Sequence, residues 1–223
     1  MNGDTIKTLS YFSVLIPFVT CLFIYKKIDR KYYPFRYFIF LIAFTDLAAV
    51  SFGKSHLKYY ISNVNTVVET CFTLWMFHEW GLFHNRVIVY RALLGSLLAV
   101  WILERFYYGN FVTPNFFSST IGSFTTAFLT IALINHIAIS ERGSLVKSPL
   151  FIIAIGFIVF DTFPIITSAF SLDYLNTSKA FYSNIAIISD LSVTLSYFIF
   201  TYAIIMMARQ HSALRGKQPY EVL

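Results

Sequence analysis

The sequence predicts an all-α, polytopic membrane protein, a single bundle of seven transmembrane helices. Of the 223 residues, 57% are hydrophobic and 13% are charged, whereas a soluble domain carries about 25% charged residues. The apolar residues fall into seven long runs, and a helix needs about 20 such residues to cross a bilayer. Only helices and closed barrels satisfy their backbone polar groups in lipid, and these runs are too long for barrel strands.

The seven runs define the domain organisation. They cover residues 8–25, 37–53, 61–78, 87–103, 116–137, 149–170 and 181–207. Polar or turn-forming segments separate the runs, as is typical of loops between helices. We therefore expect a transmembrane domain over residues 1–207 and a short basic cytoplasmic tail over residues 208–223.

The basic residues predict the orientation of the bundle. With the loop at residues 26–36 in the cytoplasm, twelve of the 17 Lys and Arg residues lie on the cytoplasmic side. Cytoplasmic loops carry an excess of these residues, so the N-terminus is predicted outside and the C-terminus inside. The net charge of +6 then reflects topology, and no nucleic acid partner is expected. We expect an integral protein of a bacterial inner membrane, with the lipid bilayer as a partner.

Two segments predict an internal repeat. Residues 62–69 and 183–190 align without gaps, and each begins with Ser-Asn and ends in an acid. The span before each segment also carries a central acid, Asp46 or Asp161. Spans one to three and five to seven run in the same direction in the predicted topology, with the fourth span as a linker. This pattern favours a parallel three-plus-one-plus-three repeat, which some transporters contain.

Four carboxylates near the middle of apolar runs are the first candidates for a functional site: Asp46, Glu69, Asp161 and Asp190. A charge at the centre of a span costs about 2.5–3.5 kcal/mol, so four ionised acids would cost on the order of 10 kcal/mol. No Lys or Arg lies at a comparable depth, so the acids either carry protons or are neutralised by a bound cation. The structural alternative is that they are neutral and hydrogen-bond between helices.

Three further residues complete the predicted cavity: Asn65, Asn184 and Thr194. Asn65 lies one turn before Glu69, and Thr194 lies one turn after Asp190, so each shares a helix face with its acid. Asn184 belongs to the Ser-Asn pair at the start of the last span. Pro164 removes a backbone hydrogen bond and is predicted to act as a hinge. The expected ligand is a small molecule or a cation.

The sequence predicts neither a metal site nor a cofactor. His78 and His84 lie too far apart for the HExxH zinc motif, and there is no Walker loop or dinucleotide fingerprint.

Residues 65–72, Asn-Thr-Val-Val-Glu-Thr-Cys-Phe, and the pair Asn115-Phe116 resemble small seven-helix integral membrane proteins of Bacteroidota, a resemblance that implies no particular activity. The helix plan is similar to that of SWEET-like sugar carriers and nicotinamide-riboside carriers, in architecture only. A third similarity, to lysoplasmalogenase-type membrane hydrolases, would place Asp46 and Asp190 at matching positions.

Three functions remain open at this stage. The first is a carrier for a small cationic or proton-coupled solute, with the four acids around its cavity. The second is a receptor-like or sensory protein that binds a ligand in the same cavity and contacts a cytoplasmic protein partner or a further copy of itself. The third is an intramembrane lipid hydrolase that uses paired carboxylates as general acid and base.

Overall fold

The structure is a computed structural model that describes residues 3–52, 56–84, 86–108, 116–140, 144–170 and 178–215. Within these ranges the chain forms α-helices and short 3₁₀ turns and contains no β-strand, which confirms the all-α class for the described residues. The helices are α1 (Gly3–Ser13), α2 (Leu15–Ile24), α3 (Tyr33–Ser51), α4 (His56–Glu79), α5 (Val87–Tyr108), α6 (Phe116–Ser140), α7 (Pro149–Phe170) and α8 (Lys179–Arg215).

Six stretches of the described chain are long and apolar enough to cross a membrane: Thr8–Lys27, Arg30–Ser51, Val87–Tyr107, Phe116–Ser140, Pro149–Thr167 and Ser183–His211. Their length and composition support an integral membrane protein. The remaining predicted span, residues 61–78, lies in α4, whose 24 residues extend about 36 Å. α4 is long enough but less apolar, because it carries Glu69 and several Asn and Thr side chains. The count of seven spans therefore stays a prediction.

The first predicted span is interrupted near its start. The sequence predicted one run over residues 8–25, but α1 ends at Ser13 and α2 begins at Leu15. Pro17 explains the interruption, because it has no N–H to donate to the Ser13 carbonyl and its ring crowds that carbonyl. Helical hydrogen bonding resumes immediately, with the N–H of Phe18 donating to the Val14 carbonyl over 3.2 Å.

The last helix extends beyond its predicted end. α8 continues to Arg215, whereas the apolar run ends at residue 207. Residues 208–215 of the predicted tail are therefore helical, and residues 216–223 lie outside the described part of the chain.

All the helices except α5 pack as a closed ring, in which α1 and α2 together take one place. α1 and α2 pack on α3, and α3 packs on α4. α4 packs on α6, α6 on α7, α7 on α8, and α8 returns to α1 and α2. α5 packs against α4 and α6 and is the least buried of the six apolar stretches, which places it at the periphery. The ring order decides which polar residues can face one another.

A cluster of phenylalanines fills the ring on one side of the acids. Phe38 of α3, Phe77 of α4, Phe157 of α7 and Phe200 of α8 are almost fully buried. The Phe157 ring centroid lies 5.0 Å from Phe38, 6.0 Å from Phe77 and 5.3 Å from Phe200. We call these four residues the aromatic plug. Close packing of rings at such distances joins the four helices.

Three contacts join helix ends and turns at one end of the bundle, the end nearer to the aromatic plug than to the acids. The indole N–H of Trp80 donates to the Lys31 carbonyl over 3.0 Å. Nδ1 of His211 lies 2.9 Å from Oδ1 of Asp29, and the Gln210 amide donates to the Lys147 carbonyl. We call this the basic end, because the Lys-rich turns between α2 and α3 lie here. Each plug residue lies between the central acid of its own helix and this end.

Candidate functional site

A polar cavity of about 210 Å³ lies among α4, α6 and α7. Its described lining combines two acids, several hydroxyl groups and two aromatic rings: Thr66, Glu69, Thr70, Thr73, Ser119, Gly122, Ser123, Thr126, Phe157, Phe160 and Asp161. None of these lining residues is basic. The cavity meets the plug at Phe157, so it lies on the side of the plug away from the basic end.

Local sequence explains the polar wall of the cavity. On α4, Thr66, Glu69, Thr70 and Thr73 recur at intervals of three and four residues, which puts them on one helix face. Gly122 allows α6 to pack closely against this face of α4, since a Cβ at that position would lie 3.0 Å from Oγ1 of Thr70.

Asp161 is the most deeply buried acid of the cavity. Asp161 is 7% exposed, and the hydroxyl of Ser123 donates a hydrogen bond to its carboxylate. Oδ2 of Asp161 is buried and has no hydrogen-bond partner among the described residues. A buried carboxylate oxygen without a donor is unfavourable, so this atom is suited to a ligand that supplies a proton donor or a positive charge.

Glu69 is the second acid of the cavity and is half-buried. Oε2 of Glu69 accepts a 3.3 Å hydrogen bond from Nδ2 of Asn65, one turn earlier on α4. Glu69 interacts electrostatically with both Asp46 and Asp161. Three of the four predicted acids are therefore neighbours, and Asn65 supports one of them as its spacing predicted.

Asp46 has a partner that the sequence interpretation missed. The hydroxyl of Tyr197 donates to Oδ2 of Asp46 over 2.8 Å. Tyr197 is 1% exposed, and its ring centroid lies 6.1 Å from that of Phe160, which lines the cavity. The sequence did contain a signal for Tyr197, because it lies seven residues after Asp190 and so shares a helix face with that acid.

The remaining predicted residues lie apart from the cavity. Asp190 interacts electrostatically with Tyr11, which also interacts with Asp46. Thr194 donates its hydroxyl to the Asp190 carbonyl over 3.0 Å, and Asn184 is exposed. Of the predicted cavity residues, only Glu69 and Asp161 are among the described lining residues, whereas Asp46, Asn65, Asp190, Asn184 and Thr194 are not.

Pro164, the predicted hinge, lies one turn beyond Asp161 in α7, and the helix continues through it to Phe170. The structure describes one conformation of this helix, and the hinge stays a prediction.

The arrangement is suited to a small positively charged solute. Carboxylates attract a cation, and hydroxyl groups can accept hydrogen bonds from an ammonium group. The lining also includes Phe157 and Phe160, and aromatic rings are groups that attract cations. The volume is below the range of about 300–1,000 Å³ that is typical of pockets for drug-sized molecules. Within the described ranges no group of three or more His, Cys, Asp or Glu side chains is placed to hold a metal ion.

Comparison of the chain with protein-family models, with curated proteins and with solved structures finds no match. Function must therefore be argued from the site itself. The two cavity acids, the Asp46–Tyr197 bond and the plug are the features that bear on it.

Proposed function

We propose that the protein is a multi-pass membrane carrier for a small cationic or proton-coupled solute, which binds in the cavity among α4, α6 and α7. One observation carries the proposal. Glu69 and Asp161 share a cavity inside an apolar bundle, and no described lining residue offers a positive charge. Intramembrane acids of this kind mark ion and substrate pathways.

The proposed topology has seven spans, with the N-terminus outside and the C-terminus inside a bacterial inner membrane. α4 is the third of these spans in chain order, and its acid and hydroxyl groups are tolerated because they face the cavity and not the lipid. The charge bias of the loops supports the orientation.

The order of the ring supports the proposed repeat. In a parallel three-plus-one-plus-three arrangement, the packing of the first span on the seventh corresponds to the packing of the fifth span on the third. Both contacts occur, as α1 and α2 with α8 and as α6 with α4. α5 packs at the periphery, which is suited to a linker. The repeat makes Asp46 the counterpart of Asp161, and Glu69 the counterpart of Asp190.

The position of the plug supports alternating access. Phe38 and Phe77 each lie eight residues from the acid of their helix, about 12 Å toward the basic end. The buried rings exclude a hydrated solute from that side. In the proposed mechanism the cavity receives its solute from the opposite end, and a change in packing of the plug opens the basic end.

Uptake by reconstituted protein tests the proposal. Proteoliposomes are assayed for uptake of sodium, methylammonium, tetramethylammonium and guanidinium, with and without a proton gradient. We expect saturable uptake of at least one probe, abolished in Glu69→Gln and Asp161→Asn. Glu79→Gln is the matched control, since Glu79 lies exposed at the end of the same helix as Glu69.

The other outcomes separate the alternatives. If a probe raises the unfolding temperature but is never taken up, the protein is a receptor-like binding protein and not a carrier. Release of product from lipid in detergent, without a gradient, would favour the hydrolase. If no cation is bound or transported, and both acid variants behave as the wild type, the cavity proposal fails.

A further inference from the structure

The turns between α2 and α3 hold five basic residues within eleven positions: Lys26, Lys27, Arg30, Lys31 and Arg36. Within the described part of the chain, none of the five lies within 4.0 Å of a carboxylate. Asp29 is the one acid of this segment, and its Oδ1 contacts His211. Glu79, at the end of α4, is a second described acid at the basic end. The segment therefore presents positive charge that no described carboxylate neutralises.

Tyrosine rings orient three of these cations. Nζ of Lys26 lies 5.7 Å from the Tyr25 ring centroid, and Nζ of Lys31 lies 4.8 Å from that of Tyr32. Such contacts direct a cation without cancelling its charge.

Arg36 contacts two tyrosines. Its guanidinium carbon lies 4.4 Å from the Tyr33 centroid and 5.0 Å from the Tyr37 centroid. Its Nη2 also donates to the Tyr37 hydroxyl over 3.3 Å, whereas its buried Nε has no hydrogen-bond partner among the described residues. A planar guanidinium oriented by two tyrosines is preorganised to bind the oxygens of a phosphate.

The backbone of the segment is anchored. Ile28 and Tyr32 are 4% and 2% exposed, and the Lys31 carbonyl accepts the hydrogen bond from Trp80. The basic side chains therefore project from a fixed turn, with Lys26, Lys27, Arg30 and Lys31 exposed.

Apolar surface lies next to the charge. Phe23 is 85% exposed, and Leu22 is 47% exposed, on the last turn of α2. Tyr37, on the first turns of α3, is 42% exposed. A free anion would use only the cations, whereas a phospholipid would use both its phosphate and its acyl chains here. Tyr at the interface beside Lys and Arg is also the arrangement that anchors helices at the headgroup level.

We infer that the turns between α2 and α3 form a binding site for the headgroup of an anionic phospholipid, with Arg36 and Arg30 on the phosphate and Phe23 against an acyl chain. The lipid bridges the ends of two helices of the ring. It stabilises the packing of α2 on α3 at the end of the bundle that the aromatic plug closes.

Thermal unfolding of the purified full-length protein tests this site. Dioleoylphosphatidylglycerol is titrated in mild detergent, and phosphatidylcholine with the same chains and inorganic phosphate are titrated separately. We expect phosphatidylglycerol alone to raise the unfolding temperature. In the double variant Arg30→Gln/Arg36→Gln, the concentration giving half the effect should rise about tenfold or more, since each basic residue near an anionic surface contributes about 1 kcal/mol.

Control variants keep the result interpretable. Arg86→Gln/Arg91→Gln removes two exposed charges near the start of α5 and should leave the titration unchanged. Lys26→Gln/Arg30→Gln removes two exposed side chains of the site and covers the case in which the Arg36 variant does not fold. Equal effects of both lipids, equal losses in the α5 variant, or full stabilisation by inorganic phosphate would each overturn the inference.

Discussion

The hydroxyl of Tyr197 on α8 donates a 2.8 Å hydrogen bond to Oδ2 of Asp46 on α3, and the two residues are 151 positions apart in the chain. This bond crosses the closed ring beside the polar cavity. It gives one intramembrane acid a partner inside the protein, while Asp161 keeps one carboxylate oxygen without a partner among the described residues. The acids therefore differ in their surroundings, and they are expected to differ in role.

Tyr197→Phe should remove this bond and little else. The ring stays in place, so packing against Phe160 is retained. We expect a loss of about 0.5–2 kcal/mol in the free energy of unfolding, the range for hydrogen bonds between membrane helices and for buried bonds in general. Thermal unfolding in detergent measures it. Tyr202→Phe on the same helix is the control, since Tyr202 is 50% exposed and its loss should have no effect. A stability equal to the wild type in Tyr197→Phe would contradict the assigned bond.

Glu104 of α5 caps the first turn of α6. Its carboxylate accepts hydrogen bonds from the N–H groups of Phe117 and Ser118, each at 2.9 Å, and from the Ser118 hydroxyl. Carboxylates are favourable at helix N-termini, where free N–H groups and the helix dipole meet. Glu104→Gln keeps the shape but loses the charge and one acceptor, and should reduce stability by about 1–2 kcal/mol. Glu79→Gln, an exposed acid at a helix C-terminus, should not reduce it.

Hydropathy and helix signals predicted the individual helices well because they are local properties. α7 begins at Pro149 and ends at Phe170 as predicted, and a proline is favourable at the first position of a helix. The break between α1 and α2 was missed, although Pro17 was its signal. α8 extended further than expected because helix formation does not stop where the apolar run ends.

The candidate site depends on how distant helices pack, which the hydrophobic periodicity of each helix does not predict. Glu69 and Asp161 share a cavity because α4 and α7 both pack on α6, an order that no single helix reveals. The same order separates Asp190 from that cavity and brings it near Tyr11. Asp46 and Tyr197 are 151 positions apart, so no local pattern predicts that they pair. The sequence indicated only that Tyr197 shares a helix face with Asp190.

Ser123→Ala tests the environment of Asp161. The substitution removes the described donor to this carboxylate, which should reduce stability by about 1 kcal/mol. If the cavity binds a cation, the affinity for that cation should also fall, because the Asp161 carboxylate loses the hydrogen bond that orients it. Binding is followed by the shift in unfolding temperature with the cation identified by uptake. Ser96→Ala is the control, since Ser96 lies exposed on α5 and donates within its own helix. A fall in both variants would point to a general effect of removing hydroxyls.

Gly156→Ala should be among the most damaging small substitutions in the protein. A Cβ at Gly156 of α7 would overlap the Phe200 ring of α8, and this ring is fully buried within the aromatic plug. Overpacking of a filled core costs about 1–3 kcal/mol, and the strain should exceed the gain in helix propensity of about 1 kcal/mol that alanine brings. Gly95→Ala on α5 is the matched control, because its Cβ would meet nothing within 4 Å and the variant should be as stable as the wild type or more so. Equal unfolding temperatures for the two variants would show that α7 and α8 are not held as closely at the plug as Gly156 implies.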